Sequence, residues 1–580
     1  MSCRPGIPRN WQVRWESMND QSTDWEQGMN LRRRCAVVVG SAAMMVVAST
    51  GTAQQQISTF VSAPDGTQLA TDVYLPVLDG PWPVVLVRTP YGKDGHLTDC
   101  IAFSLSGYAC VVQDTRGRFA SGGTDTVFRD DAVDGRVTLD WIADQWWCNG
   151  SIGTYGGSAE GITQYAMAPG ANAALRCQLV AVATPSPRDH AFLQGGVLRS
   201  ALVENWLEGQ GSLDFLDELK AHRLNDDWWR EMDFLADPST IETAVVHFGG
   251  WYDIFEQGTL DAFETYEDEG GDGARGRQFL FMGPWTHGGE AGELEYSPDA
   301  ETLLLSLAFP WFDHCLKGES NEVNGWPAVS AFVMGAVGES GAPGNQWAEL
   351  NDWPPTASTM PLYLNASGDL LRVLPYAEET ILTIDPLNPV PTLGGANLHP
   401  WIEVDGREMG AGSYDQRPIE VRDDVLTFTT APLEAPLTVM GRIRVHLWIS
   451  PDTPDLDLAV RLTDVYPDGR SMLVLDGIQR ARMRCSNDRE CFLEEGEPAE
   501  LVVDLWSTAI VINAGHRIRI DISGTNSPRF EVNPNDGSDL NDPDAFIVAR
   551  PALLFGTETP SRLELPILPA PRQPAGGRSS

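Results

Sequence analysis

Ser158 lies in Thr154-Tyr155-Gly156-Gly157-Ser158-Ala159-Glu160-Gly161, a stretch of mostly small residues. A serine hydroxyl is a poor nucleophile near neutral pH. It becomes a good one when a base takes its proton, an acid orients that base, and donors receive the charge that develops on the attacked carbonyl oxygen. Two later stretches offer those groups. Gly249-Gly250-Trp251-Tyr252-Asp253 supplies Asp253 as the orienting acid, and Gly283-Pro284-Trp285-Thr286-His287 supplies His287 as the base. The backbone N–H of Ala159 is a candidate oxyanion donor. So is the phenol of Tyr91, in Arg88-Thr89-Pro90-Tyr91-Gly92-Lys93. Each residue alone has a plainer reading: a glycine turn, a helix-capping aspartate, a structural histidine, a packed tyrosine. For Tyr91 the residues leave both readings open. Together the set would perform acyl transfer from an ester or amide to water.

Such chemistry needs elements that bring distant residues to one place. Residues 57–76 alternate around Ala63-Pro64-Asp65-Gly66-Thr67 and predict a β-hairpin. Apolar runs predict buried strands at Val84–Val87, Tyr108–Gln113 and Leu179–Thr184, with a shorter one at Ser151–Tyr155. Helical spacing marks Asp130–Ala143 and Gly161–Ala168. After an interruption the alternation resumes, with strands at Ala244–Phe248 and Gln278–Met282 and helices at Phe255–Tyr266 and Leu303–Leu316. Alternating strands and helices imply a mostly parallel sheet. Asp253 and His287 then fall just beyond strand ends, where the sites of such sheets lie. Nucleophile, acid and base in that chain order, with the serine on a strand-to-helix turn, indicate an α/β-hydrolase fold.

The interruption, 187–243, is rich in Leu, Trp and charge, reads as helical from Leu198 to Leu235, and is expected to form a cap over the sheet. The hydrolase body therefore comprises 54–186 and 244–340. From about 345 to 570 strand-like runs dominate, including Leu362–Leu364, Val425–Thr429, Ile443–Ile449, Leu458–Val465, Ala499–Leu505 and His516–Ile522. These predict a C-terminal β jelly roll or sandwich. Residues 571–580 are expected to be a disordered tail.

The chain has 580 residues, 42% of them hydrophobic, enough for about three folded units. A net charge of −41 argues against nucleic acid and anionic membrane surfaces as partners. Arg32-Arg33-Arg34, an apolar run to Ala48 and Gly51-Thr52-Ala53 follow the order of a signal peptide, over 1–53 with Met29 as an alternative start. That predicts export to the periplasm or medium, with no membrane span in the mature chain. Seven cysteines follow the leader. Cys485 and Cys491 are the best candidate pair, and an odd count leaves a free thiol among Cys100, Cys110, Cys148, Cys177, Cys315 and these two. No C-x-x-C or H-E-x-x-H motif supports zinc. The acidic loop Asn533–Asp544 lacks the spacing of a calcium motif.

Several blocks now carry a resemblance. Arg88-Thr89-Pro90-Tyr91 with Lys93, Gln113-Asp114-Thr115-Arg116-Gly117, Trp147-Cys148-Asn149-Gly150, the Gly249–Asp253 and Gly283–His287 stretches, Asp464-Val465-Tyr466-Pro467-Asp468-Gly469-Arg470, Gly515-His516-Arg517 and Asn526-Ser527-Pro528-Arg529-Phe530 occur in order. Over about 58–565 the chain resembles the cocaine esterase and X-Pro dipeptidyl-peptidase family, which includes α-amino-acid ester hydrolases. The resemblance implies Ser158 as nucleophile, Asp253 and His287 as its partners, Tyr91 as an oxyanion donor, and no metal or cofactor. Two departures stand out. Ala159 replaces the tyrosine frequent in the family. Asp253-Ile254-Phe255-Glu256 lacks the paired carboxylates that hold a substrate ammonium in the amino-acid ester hydrolases. Glu160 fits a salt bridge or a helix N-terminal contact, with a substrate-facing charge as the rarer use. The expectation is an exported serine hydrolase for a small ester or amide. The alternatives are a dipeptidyl-peptidase releasing X-Pro dipeptides, or a glycan- or polymer-binding protein with a relic hydrolase body.

Overall fold

Strand ends decide where side chains meet in this chain, so the large sheet comes first. The computed structural model describes residues 55–568, apart from 290–291, 297–299, 399–402, 405–406 and 409. The expected leader and the tail at 571–580 lie outside the described residues. The strands are β1 (Gln55–Ser62), β2 (Gln68–Leu75), β3 (Trp82–Thr89), β4 (Ala109–Asp114), β5 (Cys148–Gly157), β6 (Leu175–Ala181), β7 (Ala244–Tyr252), β8 (Gln278–Thr286), β9 (Val329–Val333) and β10 (Gln346–Leu350). Their order across the sheet is β1-β2-β4-β3-β5-β6-β7-β8-β9-β10. Only β2 and β10 run against the rest. Strands β3, β4 and β7 are buried along their whole length, which explains their continuous apolar runs.

Helices cover both faces: α1 (Leu97–Leu105), α2 (Asp131–Ala143), α3 (Ala159–Met167), α6 (Glu256–Asp268) and α7 (Ala300–Lys317), with α4 and α5 in the cap. Two disulfides pin them, Cys100–Cys110 between α1 and β4 and Cys177–Cys315 between β6 and α7. The expected Cys485–Cys491 bond is present, and Cys148 is left as a thiol.

The cap is less regular than its composition suggests. It contains one turn of π-helix (Arg188–Phe192), a short ribbon at Leu193–Gln194 and Val197–Leu198, helices α4 (Ser200–Gln210) and α5 (Phe215–Ala221), and two 3-10 turns. The continuous helical reading from Leu198 to Leu235 is therefore corrected. Gly211, at φ 71°, ends α4, and Asp226 caps a new turn by accepting from Trp228 N–H.

Beyond the hydrolase sheet the strands form a seven-stranded and a four-stranded antiparallel sheet packed face to face. Strand 346–350 lies past the position where the sequence reading started this second body, yet it pairs with β9 and closes the hydrolase sheet. The two bodies share one hydrophobic core. Trp251 donates its indole N–H to Phe332 O at 2.8 Å and packs on Trp353, and Met334 exchanges backbone hydrogen bonds with Ala509 and Val511. His516, fully buried on the second body, bridges Asp464 at 2.7 Å and Glu339 of the first at 3.0 Å.

The cap is stitched to the second body as well. Arg480 N–H donates to Gly195 O at 2.9 Å and Asn225 N–H to Asn487 O at 2.7 Å. Arg223 and Arg480 both grip the Glu531 carboxylate. Those two guanidinium groups outweigh burial and hold Glu531 well below the usual carboxylate range, at about 2.

Candidate active site

Ser158 is the one residue between β5 and α3. Its backbone is in a strained region, φ 57° and ψ −128°, where a side chain other than glycine's is uncommon. The turn is held by Ser158 N–H donating to Ala181 O at 2.9 Å and by Gly161 and Ile162 N–H donating to Ser158 O. The flanking glycines have separate reasons. Gly156 sits at φ 148°, and a Cβ there would lie 2.6 Å from Glu160 Cβ. A Cβ on Gly161 would meet Ala183 Cβ at 2.5 Å. The second glycine falls three residues after the serine because α3 passes closest to the β6 end there.

β7 ends at Tyr252 and β8 at Thr286, and those two residues are register partners. The register shifts between Gly283 and Thr286. Asp253 and His287 follow on adjacent strand ends, so they emerge side by side. His287 Nε2 lies 2.9 Å from Ser158 Oγ, and His287 Nδ1 lies 2.6 Å from Asp253 Oδ2. Asp253 is fully buried, and its other oxygen accepts the Phe255 N–H at 2.7 Å. The Phe255 ring meets the imidazole edge-on at 5.6 Å. Serine, histidine and aspartate thus form one unbroken hydrogen-bonded line.

Tyr91 follows β3. The residue is 41% exposed. Its hydroxyl accepts from Trp206 Nε1 at 3.2 Å and lies close to the Ser158 side chain and the Ala159 backbone N–H. Burial raises its pKa above the usual phenol value, partly offset by the hydrogen bonds with Trp206 and Ser158. The phenol is therefore a neutral O–H donor at pH 7. The loop carrying it is held by one buried ion pair and a set of hydrogen bonds around it. Arg88 donates to Gln113 at 2.8 Å and Asp131 at 2.7 Å, and Asp114 accepts the N–H groups of Lys93 and Ala120.

Glu160 forms the salt bridge that its helix-terminus position suggested, pairing with His96 at 2.8 Å. Burial disfavours the His96 charge, but hydrogen bonds to Asp99 and Glu160 win and raise it to about 10. A raised folded value stabilises fully below the unfolded value near 6.5 and is lost as pH climbs to about 10. Glu160→Gln is expected to cost ~1–2 kcal/mol at pH 6 and little above pH 10. Urea unfolding of both proteins at pH 6, 8 and 10.5 checks this. A pH-independent difference would contradict the assignment.

Beside Ser158 opens a cleft of about 400 Å³. Its walls are carbon: Phe128 from the loop before α2, Phe192 and Trp206 from the cap, Phe255 before α6, and Leu398 from the second body. Phe128 and Leu398 escape sequence reasoning, since neither belongs to a periodic element. Phe128 carries one local sign, its place just before Asp130 and Asp131, and it stands at φ 69°. Glu256 is buried with Trp251, Asp476 and Arg529 in a separate cavity that also adjoins Asp253. Among the described residues no group of three metal-type side chains converges, and no helix is long and apolar enough to cross a membrane.

Comparison with known proteins places this geometry. Residues 65–214 and 208–289 match the X-Pro dipeptidyl-peptidase (S15) family, and residues 321–564 match the X-Pro dipeptidyl-peptidase C-terminal non-catalytic domain. The chain is 32% identical to a cocaine esterase of Rhodococcus sp. (strain MB1 Bresler), over 87% of this chain and 97% of that enzyme. It belongs to the cocaine esterase and X-Pro dipeptidyl-peptidase family. Members of the family are serine hydrolases, and this chain is one, of esterase or dipeptidyl-peptidase type. Among solved structures, an α-amino acid ester hydrolase superposes with a TM-score of 0.76 at 23% identity, covering 92% of this chain and all of that one. An aminopeptidase from the marine sediment archaeon Thaumarchaeota archaeon gives 0.76 at 22%, with the same coverage. These likenesses place the fold, an α/β-hydrolase body followed by the β-rich C-terminal domain of the family, as the residues led us to expect.

Proposed function

We propose that this family member is an exported carboxylic ester hydrolase that works through an acyl-enzyme on Ser158. The observation that carries the reading is the line from Ser158 Oγ to His287 to buried Asp253 at the floor of a carbon-walled cleft. His287 takes the serine proton as Oγ attacks the carbonyl, then returns it to the leaving alcohol. A water molecule, deprotonated by the same imidazole, releases the acid. Asp253 holds the imidazole with its Nδ1–H inward and faces the charge that forms on it. The Ala159 N–H and the Tyr91 hydroxyl receive the oxyanion.

The cleft walls favour an aromatic or branched apolar acyl group. A dipeptidyl-peptidase must hold a free α-ammonium, which calls for a carboxylate facing the cleft. Ile254 and Phe255 present carbon, and Glu256 faces the other cavity. That favours the ester over the X-Pro peptide. The three disulfides and the leader-like residues 1–53 support export, since such bonds persist in oxidising compartments.

Labelling with a fluorophosphonate tests the reading. Modification of Ser158 in the periplasmic or secreted fraction is expected, on a chain beginning near residue 54, with Ser158→Ala unlabelled. Aryl-acyl nitrophenyl esters are expected to turn over faster than X-Pro-nitroanilides. Folded protein without label, or a preference for the anilides, defeats it.

A further inference from the structure

The cap does more than wall the cleft. Helix α4 is tied to the loop that carries Tyr91 and to the neighbouring loop 118–128. Arg118 donates from Nε to Pro90 O at 3.0 Å, and from Nη2 to Gln210 Oε1 at 2.7 Å, so one guanidinium spans the residue before Tyr91 and the last residue of α4. Ser212, just past α4, donates to Asp125 at 2.6 Å. Between these ties Trp206 stacks on Phe128, with ring centroids 5.6 Å apart and planes 18° apart, and donates its indole N–H to the Tyr91 hydroxyl at 3.2 Å.

A phenol has one proton to give and two lone pairs to receive, whereas an indole N–H can only give. The direction of the Trp206–Tyr91 bond is therefore forced. With Trp206 occupying a lone pair of Tyr91, the phenolic proton cannot point toward the cap. It is left to point inward, to the side where Ser158 and the Ala159 N–H lie. A donor already aimed at the developing charge needs no reorientation at the moment of attack. Accepting a hydrogen bond also makes a hydroxyl a better donor.

We infer that Trp206 is a positioning residue for the oxyanion hole: its indole N–H orients the Tyr91 hydroxyl toward the carbonyl under attack, so the cap helix is part of the catalytic setting. This rests on the serine hydrolase reading above. Trp206 also forms wall, and the test must separate the two roles. The two roles differ in their dependence on Tyr91, because a wall contact persists when the phenol is gone.

Single-turnover acylation by p-nitrophenyl acetate suits the purpose, since its small acyl group makes little demand on the wall. Trp206→Phe is expected to slow acylation about fivefold to tenfold, the effect of one hydrogen bond, with substrate affinity within about twofold. In a Tyr91→Phe background the same change is expected to do nothing further. A benzothienyl-alanine placed at 206, which keeps the ring shape and replaces the N–H with sulfur, is expected to reproduce the loss. It also covers the case in which Trp206→Phe fails to fold. Equal losses with and without the Tyr91 hydroxyl, or a benzothienyl variant at the wild-type rate, would overturn the inference. Wild-type protein that is not acylated at all would instead overturn the underlying reading.

Discussion

Ser158→Ala and His287→Ala are each expected to lower kcat for an activated ester by about 10⁶-fold, and the double variant by no more than either alone. The reason is geometric. His287 Nε2, 2.9 Å from Ser158 Oγ, is the neighbour that can take the serine proton, so removing either atom removes the same event. Residual hydrolysis would come from the oxyanion donors acting on a bound ester and water, about 10³-fold over solution. The measurement is steady-state turnover with active-site titration, so that traces of wild-type protein do not set the floor. Losses that multiply in the double variant would mean that the two residues act separately.

Asp253→Asn is expected to reduce kcat about 10⁴-fold with the fold intact. The carboxylate is fully buried between two donors, the Phe255 N–H at 2.7 Å and His287 Nδ1 at 2.6 Å. An asparagine oxygen can satisfy only one of them. If it keeps the backbone N–H, its amide NH₂ faces Nδ1 and forces the imidazole into the tautomer that carries its proton on Nε2. That tautomer cannot accept from serine. The shape is unchanged and the buried donors stay paired, so melting temperature is expected to move little. A variant within tenfold of wild type would show that the carboxylate charge and tautomer matter less than the line of hydrogen bonds suggests.

Much of this site could be read before any coordinates. The continuous apolar runs at Val84–Val87 and Ala244–Phe248 are strands buried on both faces, and the polar residues that follow such runs have nowhere to go but the sheet's edge. That pattern, joined to the order serine, acid, base along the chain and to the blocks shared with the family, points to Ser158, Asp253 and His287. The cleft wall was not legible. Phe128 and Leu398 come from irregular loops, and their meeting depends on contacts between segments far apart in sequence, which no periodicity records. The cap was legible as an insertion and not as a shape. Leu202, Val203, Trp206 and Leu207 have helical spacing, but Gly211 breaks the run and separate turns follow. The pairing of strand 346–350 with the first sheet is hidden from the sequence for a related reason. Its exposed Gln346, Trp347 and Glu349 give an edge strand without an apolar run, and only its register with β9 reveals its partner.

The Glu531 clamp bears on how molecules enter and leave. The cap is bound to the C-terminal body by paired charges and backbone bonds, with Glu531 receiving Arg223 from the cap and Arg480 from the jelly roll. Swinging the cap aside would part Arg223 from Glu531, which keeps Arg480, and would break the Arg480–Gly195 and Asn225–Asn487 backbone bonds with it, a loss of about 2–4 kcal/mol together. An opened cap would thus be populated tens to hundreds of times less than the closed one, at about 1.4 kcal/mol per factor of ten. These ties favour a socket over a lid: an acyl group would be selected by whether its shape fits between Phe128 and Trp206, and not by a closure that follows binding.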